Sequence, residues 1–397
     1  MIKAPYVRTL TIQNLLSFGG EPTCIELLNL NVLIGPNASG KSNLVEVLGL
    51  LQNAPKELAT AINNGGPIDE WLWKGNAVSK SRPPLAMIEA IVSPAKGKAG
   101  LRYRLAFTKA GFRFEITDER LENERSVANQ PHPYIYYDLG NGRPALNYKG
   151  EKRILRREEI NPQISILAQR KDPEHYPEIT HIGNMFTKFR LYRDWEFGSS
   201  SDVRDPCDAG LSSEYLEEDC SNLGVVLNRL LTVPSVKDQI LKSLRTFNEE
   251  TRDLRTSIEG GKVQTRLEEK HLDATIPLIR MSDGTLRWLA LLSILLNPDP
   301  PPLVCIEEPD LGLHPDMIHE LGRLLIDASS RMQLIITTHS DRLVEEMTDT
   351  PEAVIVCEKE NGASRLKRLD AGQLSSWLKE YSLGQLWNKG QLGGTRW

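Results

Sequence analysis

Gly35-Pro36-Asn37-Ala38-Ser39-Gly40-Lys41-Ser42 follows the apolar run Leu30-Asn31-Val32-Leu33-Ile34 and precedes Leu44, Val45, Val47, Leu48 and Leu51 at helical spacing. The stretch satisfies G-x-x-x-x-G-K-[ST] in full, in the strand–loop–helix context that gives this pattern its meaning. Small residues let consecutive backbone N–H groups curl around phosphate oxygens at a helix N-terminus, where the helix dipole also favours negative charge. Lys41 is expected to reach the β and γ phosphates and the Ser42 hydroxyl to ligate Mg²⁺. Gly35, Asn37, Ala38, Ser39, Gly40, Lys41, Ser42 and Asn43 are therefore the candidate ATP-binding residues.

Downstream carboxylates decide which nucleotide chemistry such a loop serves. Leu303-Val304-Cys305-Ile306 is an apolar strand that ends in Glu307 and Glu308, at the carboxyl edge where ligands bind in open α/β sheets. Glu307 is assigned to the magnesium ion and Glu308 to orienting or deprotonating the attacking water, because adjacent residues at a strand end point in different directions. The alternative is a pair of solvated glutamates in a turn before Pro309. A second apolar strand, 334–337, leads to Thr338-His339-Ser340, where His339 can donate to a γ-phosphate or be an ordinary polar residue. Upstream, Ser282, Asp283 and Gly284 open the helical stretch that runs to Leu296; read locally, Ser282 is a helix N-cap.

Around these motifs the chain is ordinary globular material. Its 397 residues, 40% hydrophobic and 25% charged, suffice for two or three compact units. The longest apolar stretch, 288–296, is about half of what a membrane helix needs, so a soluble, cytoplasmic protein without membrane contact is expected. Five scattered cysteines form no C-x-x-C pair and suggest neither a disulfide framework nor a thiolate zinc site. A net charge of -5 offers a polyanion no general attraction, so nucleic-acid binding requires a local basic face. Two candidates exist: 149–157, and Lys188, Arg190 and Arg193 interleaved with Phe189, Tyr192 and Trp195. Both also fit a solvated charged face beside a core strand.

Short strands are expected at 8–12, 24–27 and 30–34, and antiparallel ones at 87–92, 101–107, 112–116 and 134–137. A polar loop over 197–219 precedes helices at 222–231 and 235–247, the second with a Ser235/Asp238 capping box. From 280 onward helices alternate with strands at 303–306, 334–337 and 353–358, which argues a parallel sheet. The expected organisation is a discontinuous core from 1–52 and 280–397, a mainly antiparallel β subdomain over 53–165 and a helical lobe over 166–279.

The order of loop, Ser-x-Gly helix start, acid-ended strand and strand-plus-histidine resembles ABC-type ATPase heads of the SMC, RecF and OLD-like group. Residues 10–18 resemble their first strand, 281–286 their serine-aspartate-glycine signature, and Glu307-Glu308-Pro309 with Leu313-His314-Pro315 their acid strand and following loop. The ending 381–397 is similar to stand-alone OLD-like AAA ATPases often considered in antiviral genome defence. The resemblance implies an α/β, ABC-type P-loop head with a mixed sheet, an antiparallel β subdomain and an inserted helical lobe. It also implies a homodimer or higher homo-oligomer, with Mg-ATP sandwiched between the loop of one copy and Ser282, Asp283 and Gly284 of the other. Gln169 would link Mg²⁺ to the helical lobe, unless it is an ordinary surface glutamine. Glu307 departs from the aspartate common in that position, coiled-coil arms are missing, and too few residues follow His339 for a TOPRIM nuclease. Any nuclease effector would be a separate partner. Two functions stay open: an ATPase that acts on DNA or drives a DNA repair or defence complex, and an ATP-loaded scaffold that holds and releases an effector.

Overall fold

A computed structural model describes residues 4–75, 84–93, 99–126, 131–140, 144–148, 151–154 and 159–394. The chain forms two compact units, one from Ala4–Phe189, Glu352–Leu369 and the described residues beyond Lys389, the other from Arg190–Pro351 and Asp370–Lys389. The core expected from 1–52 and 280–397 contributes to both.

In the first unit, an antiparallel sheet runs in the order Thr23–Glu26, Val7–Gln13, Ala86–Val92, Leu101–Ala110, Arg113–Asn123, Ile135–Asp138, Ala145–Tyr148, Glu151–Ile154. The rapid succession of strands left no room for helical crossovers, and the sheet is antiparallel as that spacing predicts. Phe112, expected inside a strand, sits at a hairpin tip and is 98% exposed, because the chain turns at Gly111 and the strand starts one residue later. The strand Leu30–Ile34 is buried at every position, the pattern of a parallel strand covered on both faces. It pairs in parallel with Val354–Glu360, Val354 opposite Val32 and Val356 opposite Ile34. The two ends of the sequence therefore share a sheet. Ala363–Arg368 closes its edge as an antiparallel hairpin partner.

The second unit holds a parallel array in which Leu303–Glu307 lies between Arg190–Tyr192 and Gln333–Thr337. Helices Asp283–Leu295 and Pro315–Ser329 belong to the same unit and bury Leu286, Leu289, Leu292, Leu321 and Leu325, each contributing roughly 1.5–3 kcal/mol on leaving water. Within the stretch expected to be a helical lobe, Thr251–Glu259 and Lys262–Glu269 form an antiparallel hairpin across Gly260-Gly261. The period-two pattern of the second strand places Val263, Thr265 and Leu267 inside, between the polar Lys262, Gln264, Arg266 and Glu268, while a register shift near Thr251 breaks the alternation of the first. The helix Pro234–Phe247 begins at Pro234, with Val233 as N-cap and no side-chain cap, so the Ser235/Asp238 capping box does not form. Proline at the first helical position supplies the start instead, since its fixed φ suits the first turn.

Candidate functional site

The loop expected to hold phosphate lies in the first unit, between Leu30–Ile34 and the helix Lys41–Asn53. Gly40 is the N-cap with φ 106°, and the helix has neither a side-chain cap nor an acidic residue in its first turn. Its leading N–H donors are thus left for an external anion. A Cβ on Gly35 would stand 2.2 Å from the Cys357 carbonyl oxygen, and one on Gly40 2.2 Å from Ser364 Oγ. Both glycines are therefore obligatory. Asn37, Ala38 and Ser42 face solvent, whereas Lys41 is 6% exposed and its Nζ donates to the carbonyls of Gly35 (2.9 Å) and Pro36 (3.0 Å). A cation folded into its own loop beside open amide donors fits a triphosphate, which would supply the negative charge. The Ser39 hydroxyl is buried without a partner among the described residues.

Two residues outside the motif brace this loop. Ser364 Oγ donates to the Ser39 carbonyl (2.7 Å) and shares a hydrogen bond with Ser17 Oγ (2.7 Å). Asn43 Nδ2 in turn donates to Ser17 Oγ at 2.7 Å. Sequence reasoning missed Ser17 and Ser364, because nothing local marks a serine as a loop brace, whether it precedes Asn43 by 26 residues or follows Ser39 by 325.

Gln169 ends the short helix Ile166–Gln169 in the same unit. Its amide is engaged locally: Oε1 accepts from Asn161 N (3.1 Å) and Nε2 donates to the carbonyls of Asn161 (3.2 Å) and Ile164 (2.5 Å). The helix start is held by the fully buried Glu119, whose carboxylate accepts from Tyr103 Oη (2.7 Å), Ser165 Oγ (2.6 Å) and Ile166 N (2.9 Å). Burial pushes the Glu119 carboxyl up to about 7 despite those three donors. A carboxyl raised from 4.5 to about 7 binds more protons folded than unfolded, so it lowers stability as pH rises across that window and adds no slope above it. Glu119→Gln should flatten that part of the curve, because its amide can donate to the two hydroxyls and still accept from Ile166. Melting temperatures of both proteins between pH 5 and 7.5 check this: the variant should gain on the wild type toward pH 7, by on the order of 3 kcal/mol, and parallel curves would contradict it.

In the second unit the acid strand ends as expected. Glu307 Oε2 lies 3.7 Å from Arg193 Nε, and its carbonyl accepts from Trp195 Nε1 at 3.0 Å. Glu308 takes φ 46°, a left-handed conformation that a glutamate adopts only under constraint, and its N–H donates to the Thr337 carbonyl at 3.0 Å. This twist brings Glu308 Oε1 to 3.7 Å from His339 Nε2, with both side chains part-exposed. Asp310, to which the sequence had assigned no role, is half-buried beside them and accepts from Thr338 Oγ1 at 2.7 Å. Burial raises its pKa, with Glu308 adding to the rise and His339 opposing it.

Ser282 is the N-cap of Asp283–Leu295: its Oγ accepts from Thr285 N at 3.2 Å and pairs with Thr285 Oγ1 at 2.8 Å. The N-cap reading therefore holds, and Ser282 is exposed at the helix start. The loop before it is fixed by Arg204, 8% exposed, which donates to the carbonyls of Phe197 (3.0 Å), Gly198 (3.0 Å), Ile279 (3.2 Å) and Met281 (2.8 Å) and pairs with Asp283. Arg204 also escaped the sequence reading, lying inside a stretch that looks like polar loop. A cleft of about 430 Å³ opens beside the helix start, lined by Trp195, Phe197, Gly284, Arg287, Leu311 and Gly312 among others. Arg287 lies over Trp195 and Phe197 at 5.2 and 5.8 Å and donates to the Glu308 carbonyl at 3.3 Å, tying the helix Asp283–Leu295 to the end of the acid strand.

The aromatic–basic segment is used internally. Phe189 and Tyr192 are buried, Tyr192 stacks on Trp195 with centroids 5.9 Å apart, and Arg190 covers Tyr215 at 5.1 Å. Phe189, Tyr192 and Tyr215 are core, whereas Trp195 is half-buried and lines the cleft. Of the other basic run, 149–157, the side chains lie outside the described residues, as do Thr395, Arg396 and Trp397 of the ending. Trp387 is buried, in a helix Leu383–Asn388 that packs on Asp341–Glu345, directly after His339. No helix among the described residues is long and apolar enough to cross a membrane.

A family model described as an AAA domain, putative AbiEii toxin, type IV TA system, matches residues 30–345, which spans the loop, the signature stretch, the acids and His339. No curated protein matches. Among solved structures, an Smc head bound to the C-winged helix domain of ScpA is similar with a TM-score of 0.58 at 16% identity, over 94% of this chain and 100% of that one. An Smc head with an extended coiled coil bound to the C-terminal domain of ScpA, from Pyrococcus furiosus, gives 0.57 at 14% identity, over 95% and 99%. At such identities the likeness establishes the fold, an ABC-type P-loop head.

Proposed function

This chain belongs to that AAA domain family and has the ABC-type ATPase head fold, and from this premise we propose that it binds and hydrolyses Mg-ATP as a dimer or higher assembly, in a DNA-related defence or repair complex. The observation that carries hydrolysis, beyond binding, is the left-handed Glu308 held 3.7 Å from His339 at the end of a buried strand. A left-handed acid beside a histidine is a costly arrangement, and such outliers gather where chemistry is done. Glu308 accepts a proton from the attacking water while His339 donates toward the γ-phosphate. Lys41 and the backbone N–H groups of residues 37–41 hold the triphosphate.

Ser42 and Glu307 offer the hard oxygen donors that Mg²⁺ prefers, and the ion would neutralise charge on the phosphates. Gln169 joins them only if its amide leaves Asn161 and Ile164. Ser282, Asp283 and Gly284 address the nucleotide of a second copy, with Arg204 holding their loop rigid. The expected place of action is the cytoplasm.

Turnover by the purified protein with and without linear duplex DNA tests the DNA side of this reading. Stimulation by DNA supports an ATPase acting on it. Turnover indifferent to DNA, together with ATP-dependent retention of a separate effector protein, would favour the scaffold.

A further inference from the structure

Residues 390–394 return from the helix Leu383–Asn388 to the first unit, where Gly394 packs on the phosphate loop itself. Gly394 is buried with φ 60°, and a Cβ there would stand 3.2 Å from the Gly35 Cα, 2.9 Å from Val356 Cγ1 and 3.8 Å from the Cys357 carbonyl oxygen. Its N–H donates to Glu358 Oε1 at 2.6 Å, and the same carboxylate crowds Gly393, whose Cβ would lie 2.7 Å away. Gly35 is thereby pressed from two sides: its own missing Cβ makes room for the Cys357 carbonyl, and the missing Cβ of Gly394 makes room for its Cα.

We propose that Gly394 and Glu358 are positioning residues of the nucleotide site, forming a clasp that fixes the first turn of the phosphate loop from behind. The loop's amides bind phosphate only while held in register, and a loop of small residues has little side-chain packing of its own to hold it. Ser364 and Ser17 brace the far end, at Ser39 and Gly40. The clasp braces the near end, at Gly35. The Glu358 carboxylate acts through the backbone of Gly394 and has no contact with the nucleotide.

This inference rests on the loop being an ATP site, and its test separates the two. Amide hydrogen exchange of residues 33–42 is measured first, without nucleotide, in wild type, Glu358→Ala, Glu358→Gln and Gly394→Ala. Fluorescent ATP-analogue affinity and melting temperature are then measured on the same four proteins. Glu358 is exposed, so its variants should fold. The clasp predicts exchange several-fold faster in Glu358→Ala and Gly394→Ala and affinity about tenfold weaker, with little change in melting temperature for Glu358→Ala and a fall for Gly394→Ala, whose Cβ is crowded at a left-handed position. Glu358→Gln, which keeps the acceptor, should behave as wild type. Exchange unchanged in both Glu358→Ala and Gly394→Ala would overturn the clasp, whatever the affinity. Faster exchange with no nucleotide bound even by the wild type would leave the clasp standing and refute the ATP site.

Discussion

Lys41→Ala is expected to weaken ATP binding by roughly 10- to 100-fold and to stop turnover, the loss of a charge-assisted hydrogen bond worth about 1.5–3 kcal/mol to the bound phosphates. In the folded chain Lys41 is 6% exposed and bonded to the Gly35 and Pro36 carbonyls, so the ammonium group is already desolvated before any nucleotide arrives. The cost of burying it is met in the fold, and a phosphate that displaces the carbonyls meets a cation stripped of water. Alanine also removes two hydrogen bonds that close the empty loop, so the variant's own melting temperature should fall slightly while the ATP-induced rise disappears. Isothermal calorimetry with ATP reads the affinity directly. Wild-type affinity in the variant would mean that the loop does not grip the triphosphate through Lys41.

Glu308→Gln has a different expected effect: ATP stays bound and the associated state accumulates, while turnover falls by roughly 10² to 10⁴ as a general base is lost. Glutamine keeps the volume and one acceptor oxygen, and the backbone hydrogen bond from residue 308 to Thr337 does not depend on the side chain. The left-handed twist is thus preserved and only proton acceptance is removed. Light scattering at saturating Mg-ATP should then show a dimer or larger species that decays in the wild type and persists in the variant. Monomers under those conditions would contradict the association.

Most of the strand and helix framework was legible because its elements carry strong periodicity or full burial. Leu30–Ile34, Leu303–Glu307 and Gln333–Thr337 are apolar runs too short for helices, and the loop between Ile34 and Lys41 obeys a spacing fixed by phosphate geometry. What escaped was of two kinds. Lys262–Glu269 buries a single face between polar outer residues, and Thr251–Glu259 buries only Thr251 and Leu254 across a register shift, so neither shows clear alternation in the sequence. Ser17, Ser364, Arg204, Glu119 and Gly394 act through partners far away in the sequence, and local pattern holds no record of a contact between residues 35 and 394. Glu308 falls between these cases. Its position after a buried strand predicted a site acid, whereas its left-handed backbone follows from the turn into Pro309 and the bond to Thr337, which no residue pattern displays.

Steady-state phosphate release by the wild type and Glu308→Gln, side by side at saturating Mg-ATP, is the measurement closest to the centre of this account. The proposed chemistry predicts turnover in the wild type and its loss in the variant, with nucleotide retained by both. Equal turnover in the two proteins would remove Glu308 from the reaction and with it the reading of this chain as an ATPase built around that acid.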